Sequence, residues 1–390
     1  MSSAYDYVFE VTAASPTSVG WYEPNLSDKR FYLRPTSLKG VWRWWARAVV
    51  AGVLYDAGLL NCDKDGRCYA GGKELGSILG ELGLGAGGEN AVASKLKIEV
   101  EILQQPKECQ WTKTPYQRIR LLSIKRDTPP FFIEGKFRVK LRGYKVPLVQ
   151  DVSPAVKLFL LATTLGGVGK GSRKGLGSLD VLYTNLKLDG VYKNLEFESD
   201  VAKLLESVRN DIAKLLNVEL PTKGGQPGLA PATLISRSNT EIYLITCRDC
   251  RAAWPCHKSC LISIHNFFTR VERQRVLRTD PLRHNTDAWI LGLPRHVKKL
   301  GTGYFSDVDR RASPFILSYH ESHVVGGRGP YMYLTVIKSR DWPKELEWEG
   351  GRGSRHIHIN DNTLGNAYKI AIDAFRDYAK ASGCIVKRVW

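Results

Sequence analysis

The stretch LGGVGKGSRKGLGSL, residues 165–179, places six glycines around Lys170, Arg173 and Lys174. Glycine has no Cβ atom, so it tolerates positive φ and lets another molecule come close to the main chain. Open amide groups and three nearby cations together favour an anion. We therefore predict that this loop lies against a phosphate group. The glycines expected at the contact are Gly167, Gly169 and Gly171.

The sequence of this loop can be compared with two nucleotide-binding motifs. A Walker A loop has a glycine five residues before Gly-Lys and Ser or Thr after the lysine, but this chain has Thr164 and Gly171 there. A dinucleotide fingerprint, G-x-G-x-x-G, needs a glycine where Lys174 stands. Both motifs are excluded. A flexible surface loop is the alternative, since a helix C-cap at Gly166 explains only one of the six glycines.

The hydrophobic pattern around the loop predicts the order strand, helix, strand, strand, helix, strand. The predicted strands are 4–12, 94–103, 131–141 and 178–188, and the predicted helices are 35–57 and 154–165. Thr36 or Ser37 is the expected N-cap of the first helix, and residues 71–88 are expected to form an irregular, glycine-rich insertion. This order is typical of a ferredoxin-like, RRM-like βαββαβ domain. We assign it to residues 1–190, with the glycine-rich loop at 166–178.

The second half predicts a related domain over residues 191–390. Residues 200–217 have the periodicity of an amphipathic helix, and residues 221–233 are rich in Pro and Gly, as in a linker. Strand patterns and one long helix follow, at 241–246, 312–319, 331–337, 362–381 (the helix) and 385–389. The predicted fold class is therefore α+β, with two ferredoxin-like domains, insertions, and antiparallel sheets packed by helices.

The charge balance indicates the class of partner. The 390 residues include 57 Lys and Arg against 39 Asp and Glu, a formal net charge of +18. Such an excess does not determine the fold, but it favours polyanionic partners. No apolar stretch approaches the length of a membrane span and the N-terminus lacks the features of a signal peptide, so we expect a cytoplasmic protein with no membrane partner. A scarcity of methionine, with only two, fits a thermophilic source.

The predicted first helix carries a second basic feature, in the segment LKGVWRWWARAVV at 38–50. Lys39, Arg43 and Arg47 recur every four residues and form one stripe, while Trp42 and Trp45 fall on the apolar side. A solvated charged face is the alternative to RNA contact for such a stripe. In a ferredoxin-like domain the loop after the second helix lies near the first helix, so the stripe and the loop can meet one ligand.

The segments LRPTSLKGVWRWWARAV (33–49) and GGVGKGSRKGLGSL (166–179) resemble the RAMP superfamily of CRISPR-associated proteins. Within that superfamily they are similar to the large two-domain head subunit of type III-B Cmr effector complexes. Two segments of the second half, LGLPR (291–295) and RRASPFIL (310–317), are spaced as in that subunit. The resemblance thus covers both halves of the chain.

The resemblance implies a non-catalytic RNA-binding subunit of an RNA-guided ribonucleoprotein in antiviral defence. It implies a place at the head of the complex, near the 3′ end of the guide RNA, where the subunit helps to capture target RNA. The implied partners are guide crRNA, target RNA and other Cmr subunits, with no cofactor required for activity. By analogy, the RNA-facing residues are Lys39, Arg43, Arg47, Lys170, Arg173, Lys174, Arg295, Arg310 and Arg311.

A cysteine-rich segment, CRDCRAAWPCHKSC at 247–260, is expected to form an insertion in the second domain. Its four thiols, Cys247, Cys250, Cys256 and Cys260, have a spacing that can close a structural zinc site. A pair of disulfides is the alternative, and Cys62 with Cys68 has the spacing of one.

An enzymatic role is the second hypothesis. Some RAMP proteins cleave guide-RNA precursors without metal, using histidine or a tyrosine–lysine set as acid and base. All eight histidines follow residue 256, and only His356 and His358 alternate on one face, in GGRGSRHIHIN at 350–360. A basic surface loop is the alternative for this segment, and no carboxylate cluster suggests a two-metal nuclease. The competing functions are a metal-independent guide-RNA processing endoribonuclease and a single-strand RNA-binding module acting alone.

Overall fold

A computed structural model describes most of the chain in fourteen ranges. They are residues 5–20, 32–63, 67–85, 93–109, 114–122, 130–143, 152–186, 200–221, 228–254, 256–293, 295–297, 302–308, 310–350 and 353–390. The predicted domain boundary between residues 190 and 191 falls outside these ranges and stays a prediction.

The first half supplies eight of the strands and four of the helices in the described ranges. The strands are β1 (Tyr5–Thr17), β2 (Asn61–Cys62), β3 (Cys68–Ala70), β4 (Lys73–Glu74), β5 (Leu96–Gln104), β6 (Lys107–Glu108), β7 (Phe132–Gly143) and β8 (Leu179–Thr184). The helices are α1 (Pro35–Asp56), α2 (Leu75–Glu81), α3 (Gln117–Leu122) and α4 (Ser153–Leu165).

The main sheet of this half has the strand order β5–β7–β1–β8, with β6 added to β7, and its pairings are antiparallel. Along the chain the principal elements run β1, α1, β5, β7, α4, β8. This is the βαββαβ order, with the first strand in the middle of the sheet and the last at its edge. The ferredoxin-like prediction for this half is confirmed.

Two local predictions in this half were wrong. Helix α1 begins at Pro35, and its N-cap is Arg34, whose side chain makes no capping bond, instead of Thr36 or Ser37. Proline is favoured in the first turn because its missing N–H would have no helical partner there. The insertion at 71–88 is not wholly irregular, because its described part contains β4 and the seven-residue helix α2.

The second half contributes the remaining elements. They are α5 (Asp200–Leu216), β9 (Thr240–Cys247), β10 (Ala252–Trp254), β11 (His257–Lys258), α6 (Ser259–Asn266), α7 (Arg270–Leu277), α8 (Pro281–His284), the 3₁₀-helix η1 (Ala288–Leu291), β12 (Arg295–Val297), β13 (Thr302–Phe305), β14 (Phe315–His323), β15 (Gly327–Ile337), β16 (Glu345–Gly350), β17 (Gly353–His358), α9 (Asp361–Ala381) and β18 (Cys384–Arg388).

Its main sheet has the order β14–β15–β9–β18, again antiparallel throughout. The first strand, β9, is again internal and the last, β18, is at the edge, so the second ferredoxin-like prediction is confirmed. Helix α9 packs its apolar stripe, which includes Leu364, Ala371 and Phe375, into the core of this unit. The insertions carry a separate sheet with the order β12–β13–β16–β17.

Helix α5 lies against the helices of the first unit. Lys157 of α4 donates to Asp211 of α5 at 2.7 Å, and Arg209 of α5 donates to Asp56 of α1 at 2.7 Å. Both side chains of the Arg209–Asp56 pair are almost completely buried. Asp56 also accepts a hydrogen bond from the Arg237 backbone N–H at 3.1 Å. This pair therefore fixes three segments of the chain together.

The cysteines correct the zinc expectation. Cys247 bonds to Cys384 and Cys256 bonds to Cys109, while only Cys250 and Cys260 are joined to each other. The four thiols of the cysteine-rich segment therefore do not converge on one site, because two of them have partners more than 100 residues away. The remaining predicted pair, Cys62 and Cys68, does form a disulfide.

Replacing Asp56 with alanine should lower the free energy of unfolding by about 3–5 kcal/mol, because it leaves the Arg209 guanidinium buried without its counter-charge. Chemical denaturation of the purified chain measures this change. The control is Lys73→Ala, which breaks an exposed ion pair with Glu81 and should cost less than about 1 kcal/mol. Equal losses for the two variants would show that the buried pair has no special role.

Candidate nucleic-acid interface

The glycine-rich loop lies between the two units and pairs with the edge of β14. The Leu317 N–H donates to the Arg173 carbonyl at 3.1 Å, and the Gly175 N–H donates to the Leu317 carbonyl at 2.9 Å. Farther along, the Val324 N–H donates to the Val181 carbonyl of β8 at 2.9 Å. The loop and β8 therefore cover the edge of the second sheet with main-chain hydrogen bonds.

A buried polar contact reinforces this junction. His320 of β14 contacts Asp180 of β8 through Nδ1 and Oδ1 at 2.8 Å, and its Nε2 lies 2.7 Å from the Thr164 carbonyl. The second carboxylate oxygen of Asp180 accepts the backbone N–H groups of Glu321 and Ser322 at 3.0 and 2.9 Å. Both oxygens of Asp180 thus bind the opposite unit.

The protein's own atoms occupy the space beside several loop glycines. A Cβ atom on Gly169 would lie 2.0 Å from the Ser18 carbonyl oxygen, and one on Gly177 would lie 1.9 Å from the Val168 carbonyl oxygen. Both residues have positive φ, +77° and +69°. At Gly167 and Gly171 the nearest atoms, from Leu176, would be 2.7 and 2.8 Å away. These glycines allow the chain to close on itself.

Two of the loop cations are also used internally. Arg173 donates to the Ser313 carbonyl at 2.8 Å and its guanidinium lies 4.6 Å from the ring centre of Trp44. Burial, and secondly the charge of Arg311, lowers the pKa of Arg173 to about 10. Lys174 donates to the Ser313 hydroxyl at 2.8 Å and lies 3.4 Å from the ring centre of Phe268.

Lys170 has a different setting at the outer part of the loop. Its backbone N–H donates to the Ser18 carbonyl at 2.9 Å, which fixes the main chain. The residue is half-buried, and this burial lowers the pKa of its ammonium group.

The basic stripe of α1 lies beside the loop, as predicted. The contact between Arg173 and Trp44 joins the two, and Trp44 lies one turn before Arg47. Arg47 is exposed, whereas Arg43 donates to the Gly85 carbonyl at 3.0 Å. Burial and the charge of Arg43 lower the pKa of Lys39. Trp42 and Trp45 are buried as expected.

The second unit adds cations on the other side of the loop. Arg310 is exposed. The pKa of Arg118 on α3 is lowered mainly by the burial of Arg118 and secondly by the charge of Arg310. Its neighbour Arg311 is structural, since its guanidinium donates to Asp341 Oδ1 at 2.8 Å and to the backbone carbonyls of Asp341 and Ala312. For Arg295 the structure describes only the backbone, which pairs with Tyr304 in β13.

We give the name cationic seam to six cations of the glycine-rich loop and of the elements that flank it, namely α1, α3 and the segment before β14. Its members are Lys39, Arg43, Arg47, Arg118, Arg173 and Arg310. None of these six is paired with a carboxylate of another described residue within 4.0 Å. Like charges brought together without counter-charges favour an anionic ligand, and arginine fits phosphate oxygens well.

Sequence reasoning missed two members of this region. Trp44 falls between the basic and apolar stripes of α1, so a helical-wheel reading could have marked it as half-exposed. Arg118 lies in a short helix with no distinctive pattern, and only its basic character signals it. Its backbone N–H donates to His265 Nε2 at 3.2 Å, while Nδ1 of that histidine lies 2.7 Å from the Lys174 carbonyl. His265 therefore links α3, α6 and the loop.

The candidate catalytic pair lies away from the seam. His356 and His358 are on β17 at the edge of the small sheet, with side chains 75% and 77% exposed. They face Glu347 at 3.9 Å and Glu345 at 3.2 Å. They share a face, as predicted, but each is solvated and near its own carboxylate. Within the described ranges no three His, Cys, Asp or Glu side chains are grouped so as to hold a metal ion.

The open face of the first sheet differs from the seam in having its charges paired. On this face Arg138 of β7 contacts Glu10 of β1 at 3.4 Å and Glu101 of β5 at 3.3 Å. Arg142, two pairs along, contacts Asp6 at 3.4 Å and Glu99 of β5 at 3.5 Å. Cross-strand ion pairs therefore cover the face on which RRM domains stack bases.

Comparison with protein families gives one match, and it lies in the first unit. Residues 10–180 match the family model of the RAMP superfamily. This range runs from within β1 to the start of β8 and includes the glycine-rich loop, so the likeness to the RAMP superfamily covers the first unit. No curated protein sequence matches the chain. No helix among the described residues is long and apolar enough to cross a membrane.

Solved structures extend the likeness to nearly the whole chain. Cmr1 from Pyrococcus furiosus, in its apo form, matches with a TM-score of 0.52 at 19% identity, covering 99% of both chains. A chain of the type III-B Cmr-beta complex bound to cognate target RNA matches with a TM-score of 0.55 at 13% identity, covering 95% of this chain and 99% of that one. The complex that also holds AMPPnP, in the presence of ssDNA, gives 0.50 at 13%, with coverage of 95% and 99%. The two-unit fold is therefore similar to that of Cmr1 from Pyrococcus furiosus.

Acid should destabilise the junction through His265. Burial, and secondarily the charges of Lys174 and Arg118, lowers its pKa from 6.5 to about 4. In the unfolded chain His265 takes up a proton near pH 6.5, whereas in the folded chain it stays neutral until about pH 4. The free energy of unfolding therefore keeps its full value above pH 6.5 and falls by up to about 3 kcal/mol between pH 6.5 and pH 4.

Denaturation curves at pH 7.5, 6, 5 and 4 measure this loss. The buried His323, whose pKa also lies well below its ordinary value, contributes in the same direction. His265→Asn should be less stable at pH 7.5 and should show a shallower fall toward pH 4. An unchanged slope in that variant would contradict the assignment.

Proposed function

We propose that this chain is a non-catalytic RNA-binding subunit of a type III-B CRISPR Cmr effector complex, and that RNA lies along the cationic seam. The observation that carries the proposal is that cations of α1, α3 and the segment before β14 flank the glycine-rich loop and are not paired with a carboxylate of another described residue. The RAMP-type first unit and the Cmr1-like fold of the chain support the same assignment.

The chemistry of the seam suits a phosphate backbone. Lys39 and Arg47 belong to α1, Arg118 belongs to α3 and Arg310 belongs to the second unit, so an RNA strand that passes the loop can contact cations of each. Contacts with phosphates position a nucleic acid without reading its bases. In an RNA-guided complex base pairing supplies the sequence specificity, so a seam of this kind needs no base-reading groups.

The partners follow from this assignment. Two of the similar structures are complexes described as bound to cognate target RNA. We infer that this chain binds guide crRNA and target RNA together with other Cmr subunits, at the head of the complex near the 3′ end of the guide. Its role there is to help capture target RNA in antiviral defence, and we expect this in the cytoplasm.

Reversing three seam charges, Lys39→Glu, Arg47→Glu and Arg310→Glu together, should weaken target capture by the assembled complex at least ten-fold. The slope of log affinity against log salt should also become shallower by roughly 2, since about 0.7 of an ion is released per single-strand phosphate contact. Filter binding with labelled target RNA at several salt concentrations measures both quantities.

The matched control reverses Lys95, Lys203 and Lys214, which are exposed and lie outside the seam. It should leave capture and the salt slope unchanged. Equal effects of the two triple variants would show that net charge alone matters, and an unaffected seam variant would refute the proposed path of the RNA.

The guide-RNA processing endoribonuclease remains the second candidate function, with His356 and His358 as its acid and base. Their exposure and their separate glutamate neighbours give no shared pocket for a reacting phosphate. We therefore expect the purified chain to leave precursor guide RNA intact in EDTA, and His356→Ala with His358→Ala to change nothing. Cleavage in EDTA that this double variant abolishes would establish the enzyme instead.

A further inference from the structure

The second unit contains a cleft on the side of α9, formed by residues that the cationic seam does not use. It encloses about 580 Å³ between α9, strands β9 and β18, and the segment at Gly228 and Leu229. This volume is within the range of small-molecule pockets, about 300–1,000 Å³.

The walls of the cleft carry an excess of positive charge. Four cations line it, namely Lys338, Lys369, Arg376 and Arg388, against the two acids Glu241 and Asp373. Glu241 is satisfied within the protein, since Lys338 contacts it at 2.5 Å and Arg388 at 3.7 Å, and the Tyr243 hydroxyl also donates to it. Burial opposes its charge, but these bonds hold the pKa of Glu241 below its ordinary value.

Two cations on α9 are left to face a ligand. Lys369 and Arg376 are exposed, and neither forms a hydrogen bond or ion pair with another described residue. Arg376 and Tyr243 both line the cleft. The side chains of Lys369 and Arg376 lie about two turns apart on one side of the helix.

The rest of the cleft offers an apolar surface and an open entrance. Leu229, Ile372 and Val386 line it with aliphatic side chains that are buried or half-buried. Gly365 stands one turn before Lys369, and a Cβ atom placed there would meet nothing within 4 Å. A flat apolar group can therefore enter beside two free cations.

From this arrangement we propose that the cleft binds a nucleotide, with its phosphate ester between Lys369 and Arg376 and its base against the aliphatic side chains. The same chemistry is presented by a free nucleoside monophosphate and by one nucleotide of an RNA strand. The inference is independent of the proposed function, because the cleft shares no residue with the cationic seam.

Binding of adenosine and uridine 5′-monophosphate and of a trinucleotide to the full chain tests this inference, by calorimetry at low salt. Lys369→Glu with Arg376→Glu should weaken binding at least ten-fold. Gly365→Tyr should also weaken it by closing the entrance, and this change does not threaten folding because glycine is unfavourable inside a helix. Lys344→Glu with Lys380→Glu, two exposed positions outside the cleft, should leave binding unchanged.

The outcomes separate the ligand sources and the two sites. Binding of monophosphates identifies a free-nucleotide site, and binding of the trinucleotide alone identifies a site for an RNA strand. The seam variant with Lys39→Glu, Arg47→Glu and Arg310→Glu should keep cleft binding, so failure at one site does not mean failure at the other. The proposal is overturned if neither the monophosphates nor the trinucleotide bind. It is also overturned if the cleft variants bind these probes as tightly as the wild-type chain does.

Discussion

The main-chain pairing between the glycine-rich loop and β14 is the interaction on which the arrangement of the two units depends. Arg173 and Gly175 provide the carbonyl and the N–H that bind Leu317, and β8 continues the contact to Val324. Such close approach requires a residue without a Cβ atom at Gly175, where a Cβ would lie 2.7 Å from the Leu261 side chain and 3.0 Å from the Leu317 side chain. A side chain at this position would push the loop away from α6 and β14 of the second unit.

Both ferredoxin-like units could be predicted from the sequence because their elements are long and strongly periodic. Helix α4 and strands β7 and β15 were located within a few residues, and their order alone defines the topology. The function of the loop could not be predicted in the same way. A glycine that faces a ligand and a glycine that faces another part of the chain look the same in a sequence. Here the positions of Ser18 and Leu317 in the folded chain show that the loop packs against the protein itself.

The sequence predicts the part of the candidate site that follows from local spacing, and not the part that depends on contacts between distant residues. The stripe of Lys39, Arg43 and Arg47 follows from helical spacing and lies where it was expected. Arg310 and Arg311 are adjacent in sequence, yet one is exposed and the other is bonded to Asp341. Cysteine pairing was equally inaccessible, because the partner of Cys247 lies 137 residues away and nothing local marks it. The excess of 18 positive charges is also unevenly distributed over the protein. Cross-strand ion pairs balance charges on the open face of the first sheet, whereas the cations of the seam have no ion pair with another described residue.

The disulfide between Cys109 and Cys256 joins the first unit to the insertion of the second and closes a loop of 147 residues. That loop contains α4, the glycine-rich loop, β8 and α5, so the first unit's side of the junction lies inside a covalent ring. A peptide bond cut anywhere within the ring leaves the two pieces attached through sulfur. In its oxidised form the chain therefore tolerates one break in this region without dissociating into separate polypeptides.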